Sequence, residues 1–280
     1  MMFWNKRITV LSAVFALIAV VAPAEDETAD RVTVELTDPS QPAFLSVGLI
    51  NGGITVTGYD GKEVIVEAKT DLKKIDRSGD GSGKSAGMVR IPVNSSSLTV
   101  EEYRNKVEIG TDSWANRVDL TISVPKKTSL ELSCVNSGDI TVENVEGDID
   151  ASNTNGSVSL LNIAGSAVAN AHNGDVTVTL VRIDPEKDMA FSSFNGDVDV
   201  AFPASIKAKV KLKTVQGEIY SDFEIKQIEN PERVIRENHR DSGGKYMVKI
   251  DRAFWGTING GGQEIQFSNY NGDIYIRKQK

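Results

Sequence analysis

The chain has 280 residues, 40% hydrophobic and 25% charged, with 31 basic against 39 acidic side chains and a formal charge of −8. That balance supports a folded core and excludes overall disorder. The acidic excess also opposes a polyanion, so no nucleic acid is expected as a partner.

The chain begins MMFWNKRITVLSAVFALIAVVAPAEDE, with basic Lys6 and Arg7, an apolar run from Ile8 to Val21, and small residues at Ala22-Pro23-Ala24. This is the layout of a secretory signal peptide over residues 1–24, with cleavage between Ala24 and Glu25. The apolar run, about fourteen residues, is short of the roughly twenty that cross a bilayer. No cysteine follows the cleavage site to carry a lipid. The expectation is an exported bacterial protein of the periplasm, secreted or held at the cell surface, with no stable membrane insertion after cleavage. Removing Lys6 and Arg7 with the leader leaves 29 basic against 39 acidic residues, a charge of −10.

Residues 25–128 are expected to form an N-terminal cap region of antiparallel β-strands. RVTVEL, AFLSVGL, GITVTGY and EVIVEAKT read as strands, separated by turn signals such as Asp38-Pro39 and Asp60-Gly61. Such strands would cover the open edge of a following sheet. A glycine- and serine-rich loop spans residues 72–87. Its Gly83-Lys84-Ser85 fails as a phosphate loop, because the first glycine of that motif falls on Ser78 and no apolar-period helix follows. Strands resume at SLTVEEY, KVEIG, RVDLTISVP and TSLELSCV. Cys134 is the only cysteine, so no intramolecular disulfide can form. It alternates with Leu130 and Leu132, which predicts a buried, inert thiol.

Residues 129–280 carry the repeat. Glycines stand at 138, 147, 156, 165 and 174, nine residues apart, each followed by an alternation of polar and apolar side chains. Ile140 and Val142, Ile149 and Ala151, Val158 and Leu160, and Val176 and Val178 would then face the core, with Asp139, Thr141, Asp148, Asp150, Ser157 and Ser159 outward. Nine residues make one short strand and a corner, too few for a helical crossover between parallel strands. Ser137, Asn155 and Asn173 precede alternate glycines, whereas Glu146 and Ala164 precede the others, so the period is 18 residues with two strands per coil. The predicted fold is all-β: a flattened, right-handed parallel β-solenoid with an N-terminal antiparallel β cap. The alternative is a sandwich of short hairpins, since hairpins also favour Asn-Gly turns.

The phrase returns at SSFNGDVDVAF, TVQGEIYSDF and SNYNGDIYIRK, and in weaker form near Gly52. KAKVKLKTV sets Lys207, Lys209, Lys211 and Lys213 on one face, either as solvated edge lysines or as a basic strip for an acidic glycan or lipid head group. A charged insertion, residues 226–245, interrupts the alternation and predicts a projecting loop or hairpin.

The rungs SGDITVENVEGDIDASNTNG, the preceding VDLTISVPKKTSLELSCVNSG and the closing FWGTINGGGQEIQFSNYNGDIYIRK resemble the putative adhesin family of bacterial β-strand-repeat domains, over residues 45–280. The resemblance implies a signal peptide or anchor and a ladder of Asn-Gly-Asp rungs. That family has no established function and brings no catalytic residues.

The outward positions after alternate glycines, Asp139, Ser157, Asp175, Asp197, Glu218 and Asp273, are expected to stack in a row. Carboxylates that close repel, so Asp139, Asp175 and Asp197 are candidate calcium ligands. The calcium nonapeptide, however, needs Gly-Gly-x-Gly-x-Asp, which these rungs lack, and no cofactor is expected. His172 and His239 lie near no nucleophile or metal-ligand spacing and are assigned no role. Tyr220, Tyr275, Tyr270 and Trp255 are the candidate ligand-binding residues, as aromatics that stack on sugars or seal the solenoid's end. The function expected is a non-enzymatic, adhesin-like binding or scaffold module of the cell envelope, with an envelope polysaccharide or a protein as partner. A polysaccharide lyase or glycosidase on the same scaffold, or a structural spacer, are the alternatives.

Overall fold

The computed structural model describes residues 30–70, 98–111, 116–230, 234–238, 246–250 and 253–279. The leader, the cleavage site at Ala24 and Glu25, Gly83-Lys84-Ser85 and His239 lie outside them. Among the described residues every regular element is a β-strand.

Two sheets of parallel strands form the faces of a flattened solenoid, and each coil contributes one strand to each face. The third coil pairs β8 (Thr128–Asn136) with β9 (Ile140–Glu143). The fourth is β10 (Glu146–Asn155) with the start of β11 (Val158–Asn173), which runs on round a corner into the fifth coil and its second strand β12 (Val176–Ile183). Ile149 lies beside Ala167, and Val158 beside Val176, so the expected 18-residue step holds here. The step widens to 22 at the sixth coil, β13 (Met189–Asn195) and β14 (Val198–Phe202), where Val168 lies beside Ala190.

At both ends the spatial order departs from the chain order. β2 (Ala43–Asn51) and β3 (Ile54–Tyr59) form the second coil, parallel to β8 and β9 on one side. On their other side lie β6 (Lys106–Thr111) and β7 (Val118–Pro125), the first coil. At the far end, β21 (Gln263–Asn271) and β22 (Ile274–Lys278) lie directly on the sixth coil. They hold β15 (Ala208–Lys213) and β16 (Ile219–Ser221) one level further out, as the eighth coil. Each terminal coil is thus wedged between two others.

Antiparallel strands cover the edges. β4 (Glu63–Thr70) lies on β7, β1 (Asp30–Glu35) on β4, and β5 (Leu98–Tyr103) on β6. These three are the N-terminal cap. Residues 43–59 and 106–125, grouped with it on sequence, are full parallel coils, because their alternation and the Asn51-Gly52 corner join them to the third coil. At the other end β20 (Phe254–Ile258) lies antiparallel on β15, and β17 (Lys226–Gln227) on β20. β18 (Val234–Asn238), inside the charged insertion, pairs antiparallel with β19 (Tyr246–Ile250), just beyond its end, in a sheet separate from the solenoid.

The core follows the alternation. Ile140, Val142, Ile149, Ala151, Val158, Leu160, Val176 and Val178 are all buried between the faces, and Phe191, Phe202 and Phe267 pack on one another at 5.5–6.3 Å. At the glycine corner the chain turns over the coil below without room for a side chain: a Cβ on Gly196 would lie 2.3 Å from the Gly174 carbonyl oxygen. At four of the corners the inward residue just before the turn donates to the glycine carbonyl of the neighbouring coil. Cys134 reaches Gly52 at 2.9 Å, Asn153 reaches Gly138 at 2.9 Å, Ser193 reaches Gly174 at 2.8 Å, and Asn269 reaches Gly196 at 2.8 Å. Burial pushes the Cys134 thiol up from its ordinary pKa, as an inert core cysteine requires.

Candidate site along the glycine corner

Two rows of polar side chains flank the glycine corner, and their hydrogen bonds run from coil to coil. On one side Asn155 donates to Asn136, Asn173 to Asn155, and Asn195 to Asn173, each at 2.8–2.9 Å. On the other is the expected aspartate row. Asp139 accepts the backbone N–H of Ser157, Asp175 that of Asp197, Asp197 that of Asp273, and Asp273 that of Glu218, all at 2.8 Å. Asp273 therefore stands between Asp197 and Glu218, not after Glu218 as chain order suggested. The three candidate calcium ligands, Asp139, Asp175 and Asp197, each direct a carboxylate oxygen at a neighbouring amide. Among the described residues no group of three or more His, Cys, Asp or Glu is placed to hold a metal ion. The row's like charges are offset by charge-assisted hydrogen bonds to the backbone.

Immediately before the asparagine row, one outward residue per coil lines up along the solenoid axis. From the second coil to the eighth these are Ile50, Val135, Thr154, His172, Phe194, Tyr270 and Val215. Seven coils at the strand spacing make a ridge about 29 Å long. Strand alternation turns these positions away from the core, yet most are apolar: Phe194 is 42% exposed, Tyr270 43% and Val215 54%. His172 stacks on Phe194 at 4.8 Å and 14°, and Phe194 on Tyr270 at 4.6 Å and 5°. Beside the rings lies a cavity of about 340 Å³ with Asn170, Ser192 and Ser268 among its lining residues and Lys213 on its rim.

Of the candidate ligand-binding residues, Tyr270 thus belongs to the ridge. Tyr220 and Tyr275 lie on the other face, stacked at 5.3 Å and 11°. Their hydroxyls donate to Glu218 at 2.6 Å and Asp273 at 3.1 Å. The Glu218 bond pushes the Tyr220 phenol up to about 12, and the Asp273 bond raises that of Tyr275. One face of Tyr275 is covered by Tyr220, and the Arg277 guanidinium sits 5.0 Å from its ring centre. Tyr220, on the outermost strand and 47% exposed, has no second ring or cation stacked on its outer face among the described residues.

Trp255, expected either to stack on a sugar or to seal the solenoid's end, is closed to a sugar. It is only 2% exposed, with the Lys209 and Lys211 ammonium groups 4.5 and 5.1 Å from its ring. Register explains this: β20 sets Trp255 beside Lys211, so the lysine stems close over the indole. Ala208, Val210 and Leu212 are buried as the alternation required, and Lys209 also pairs with Glu264 at 3.6 Å.

Sequence reasoning assigned no role to His172 and did not single out Ile50, Val135, Phe194 or Val215. The signal was present in the residue before the Asn-Gly or Asn-Ser-Gly of six coil corners, an outward position occupied by Ile, Val, Thr, His, Phe and Tyr in turn.

The opposite corner holds a polar cavity of about 500 Å³ containing Glu146, Asp148 and Asp184. Lys187 binds Asp148 at 2.7 Å and Arg182 binds Glu146 at 3.3 Å. Burial pushes the Asp148 carboxyl up, but the Lys187 and Ser166 hydrogen bonds outweigh it and hold the group below its ordinary range. A glycosidase general acid needs the reverse shift, and these carboxylates are engaged as ion-pair partners.

Residues 136–253, which hold most of the ladder, match the family Toastrack DUF4097. The match includes the rungs SGDITVENVEGDIDASNTNG, one of the three stretches that carry the resemblance to β-strand-repeat adhesins. Among solved structures, a putative cell adhesion protein from Clostridium sporogenes ATCC 15579 is 10% identical, with 90% of this chain and 100% of that one covered at a TM-score of 0.36. A putative adhesin from Bacteroides fragilis NCTC 9343 is 8% identical, with 90% and 98% covered at a TM-score of 0.27. No curated protein matches the chain in sequence.

Proposed function

We propose that the chain is a non-enzymatic, adhesin-like binding module of the bacterial cell envelope, and that it takes a protein partner along the glycine-corner ridge. The signal-peptide pattern at residues 1–24 supports export, and among the described residues no helix is long and apolar enough to cross a membrane. The observation that carries the reading is the line of exposed apolar side chains from Ile50 to Val215 on a corner locked by hydrogen bonds. A line of exposed, mostly apolar side chains with polar margins suits contact with a protein. The state of its rings favours protein over sugar: a pyranose packs on an open aromatic face, but Phe194 has both faces covered and His172 and Tyr270 one each.

The second reading, an envelope polysaccharide, has its support at Tyr220, which is 47% exposed on the outermost strand. The two are separated by presenting the chain without residues 1–24 to crosslinked envelope proteins and to a glycan array. Phe194→Asp and Tyr270→Asp should abolish protein capture and leave any glycan signal, whereas Tyr220→Ala should do the reverse. Protein capture that survives both ridge substitutions would remove the ridge as the site.

A further inference from the structure

We infer that the corner opposite the ridge holds a binding site for a single-chain anionic amphiphile, a free fatty carboxylate. The site is a cavity of about 450 Å³ whose apolar lining is Val181, Ile183, Pro185, Pro203 and Ile206. Two features of the coil order shape it. The connection after β12 carries the four extra residues of the 22-residue step, and residues 203–207 pass from the sixth coil to the eighth across the level of the seventh. Cavities of this size and lining take small molecules when a few polar groups converge on them.

Two such groups are present. Gln263 occupies the inward register of β21 together with Ile265 and Phe267, and its Nε2 is buried with no hydrogen-bond partner. A buried amide N–H left unpaired is costly, and a rotation of the Gln263 side chain toward the cavity it lines would offer that N–H to an acceptor on a ligand. Lys207 also lines the cavity, is exposed, and has no ion-pair partner among the described residues. The Arg182 guanidinium, by contrast, is engaged by Glu146 on the side of the neighbouring polar cavity. Val181, an aliphatic residue 50% exposed at the rim, completes an apolar entrance. An alkyl chain suits the lining, and a terminal carboxylate supplies what both Gln263 and Lys207 lack. Neither the family match nor the ridge requires this site.

The test is isothermal titration of the chain without residues 1–24 with decanoate below its micelle concentration. Saturable binding at one site is expected, with decanol at least about tenfold weaker because it lacks the charge. Val181→Asp, at a half-exposed position, should weaken decanoate about tenfold or more with the circular dichroism spectrum unchanged. Lys207→Glu should weaken it too, and Phe194→Asp on the ridge should have no effect. Absence of saturable binding, equal affinity for decanol, indifference to Val181→Asp, or binding only to phosphatidylglycerol vesicles and not to free decanoate would overturn the assignment.

Discussion

The carboxylate of Asp197 accepts the backbone N–H of Asp273 at 2.8 Å across 76 residues of chain. This bond joins the sixth coil to the C-terminal one, which is wedged in before the eighth. Both ends of the solenoid are built this way, so the outer coil at each end rests on strands from a distant part of the chain. Contacts of such long sequence separation slow folding and make its last steps cooperative.

Removing residues 263–280 should therefore do more than trim an end. It takes the parallel neighbour from β13, β14, β15 and β16 at once and bares four strand edges. The truncated chain is expected to aggregate, as read by size-exclusion chromatography. A soluble monomer with an unchanged unfolding midpoint would contradict the wedged arrangement.

Gly196 has φ of +148° and the Gly174 carbonyl oxygen 2.3 Å from where a Cβ would stand. Gly196→Ala should lower stability by about 2 kcal/mol or more, since backbone must move to admit the methyl group. Urea denaturation measures the loss, and Gly110→Ala is the control, because a Cβ there meets nothing within 4 Å.

The aspartate row makes a related prediction. Asp197→Ala leaves the Asp273 N–H without its acceptor and should cost about 1 kcal/mol. Calcium that bound the folded row would raise the unfolding midpoint through linkage. With the carboxylates directed at amides, the expected result is the same midpoint in millimolar calcium and in chelator.

Tyr220 gives a pH signature. Its hydrogen bond to Glu218 pushes the phenol from 10.0 up to about 12, so the unfolded chain loses this proton before the folded one. Its contribution to stability is intact below pH 10 and falls as pH rises from 10 to about 12. Ultraviolet titration of the phenolate band should show the late ionisation, and Glu218→Gln should move it back toward 10. No movement in that variant would show that Glu218 is not the cause.

Much of this architecture is legible in the residues. The nine-residue glycine spacing, the alternation after each glycine and the asparagines before alternate ones determine the two-strand coil, its buried faces and its polar corner rows, because each is a local property of strand geometry. Equal distance from Gly217 and Gly272 puts Tyr220 and Tyr275 at the same position of their rungs. The order of the coils does not follow, since the rungs at Gly196, Gly217 and Gly272 are alike and any one can hydrogen-bond to any other. That order was decided by tertiary packing: the Phe191, Phe202 and Phe267 cluster, and the antiparallel strand that sets Trp255 beneath Lys209 and Lys211. The ridge lies between these cases. Its outward direction was readable from alternation, but whether its rings present faces or edges depended on which coils became neighbours, and therefore on the fold as a whole.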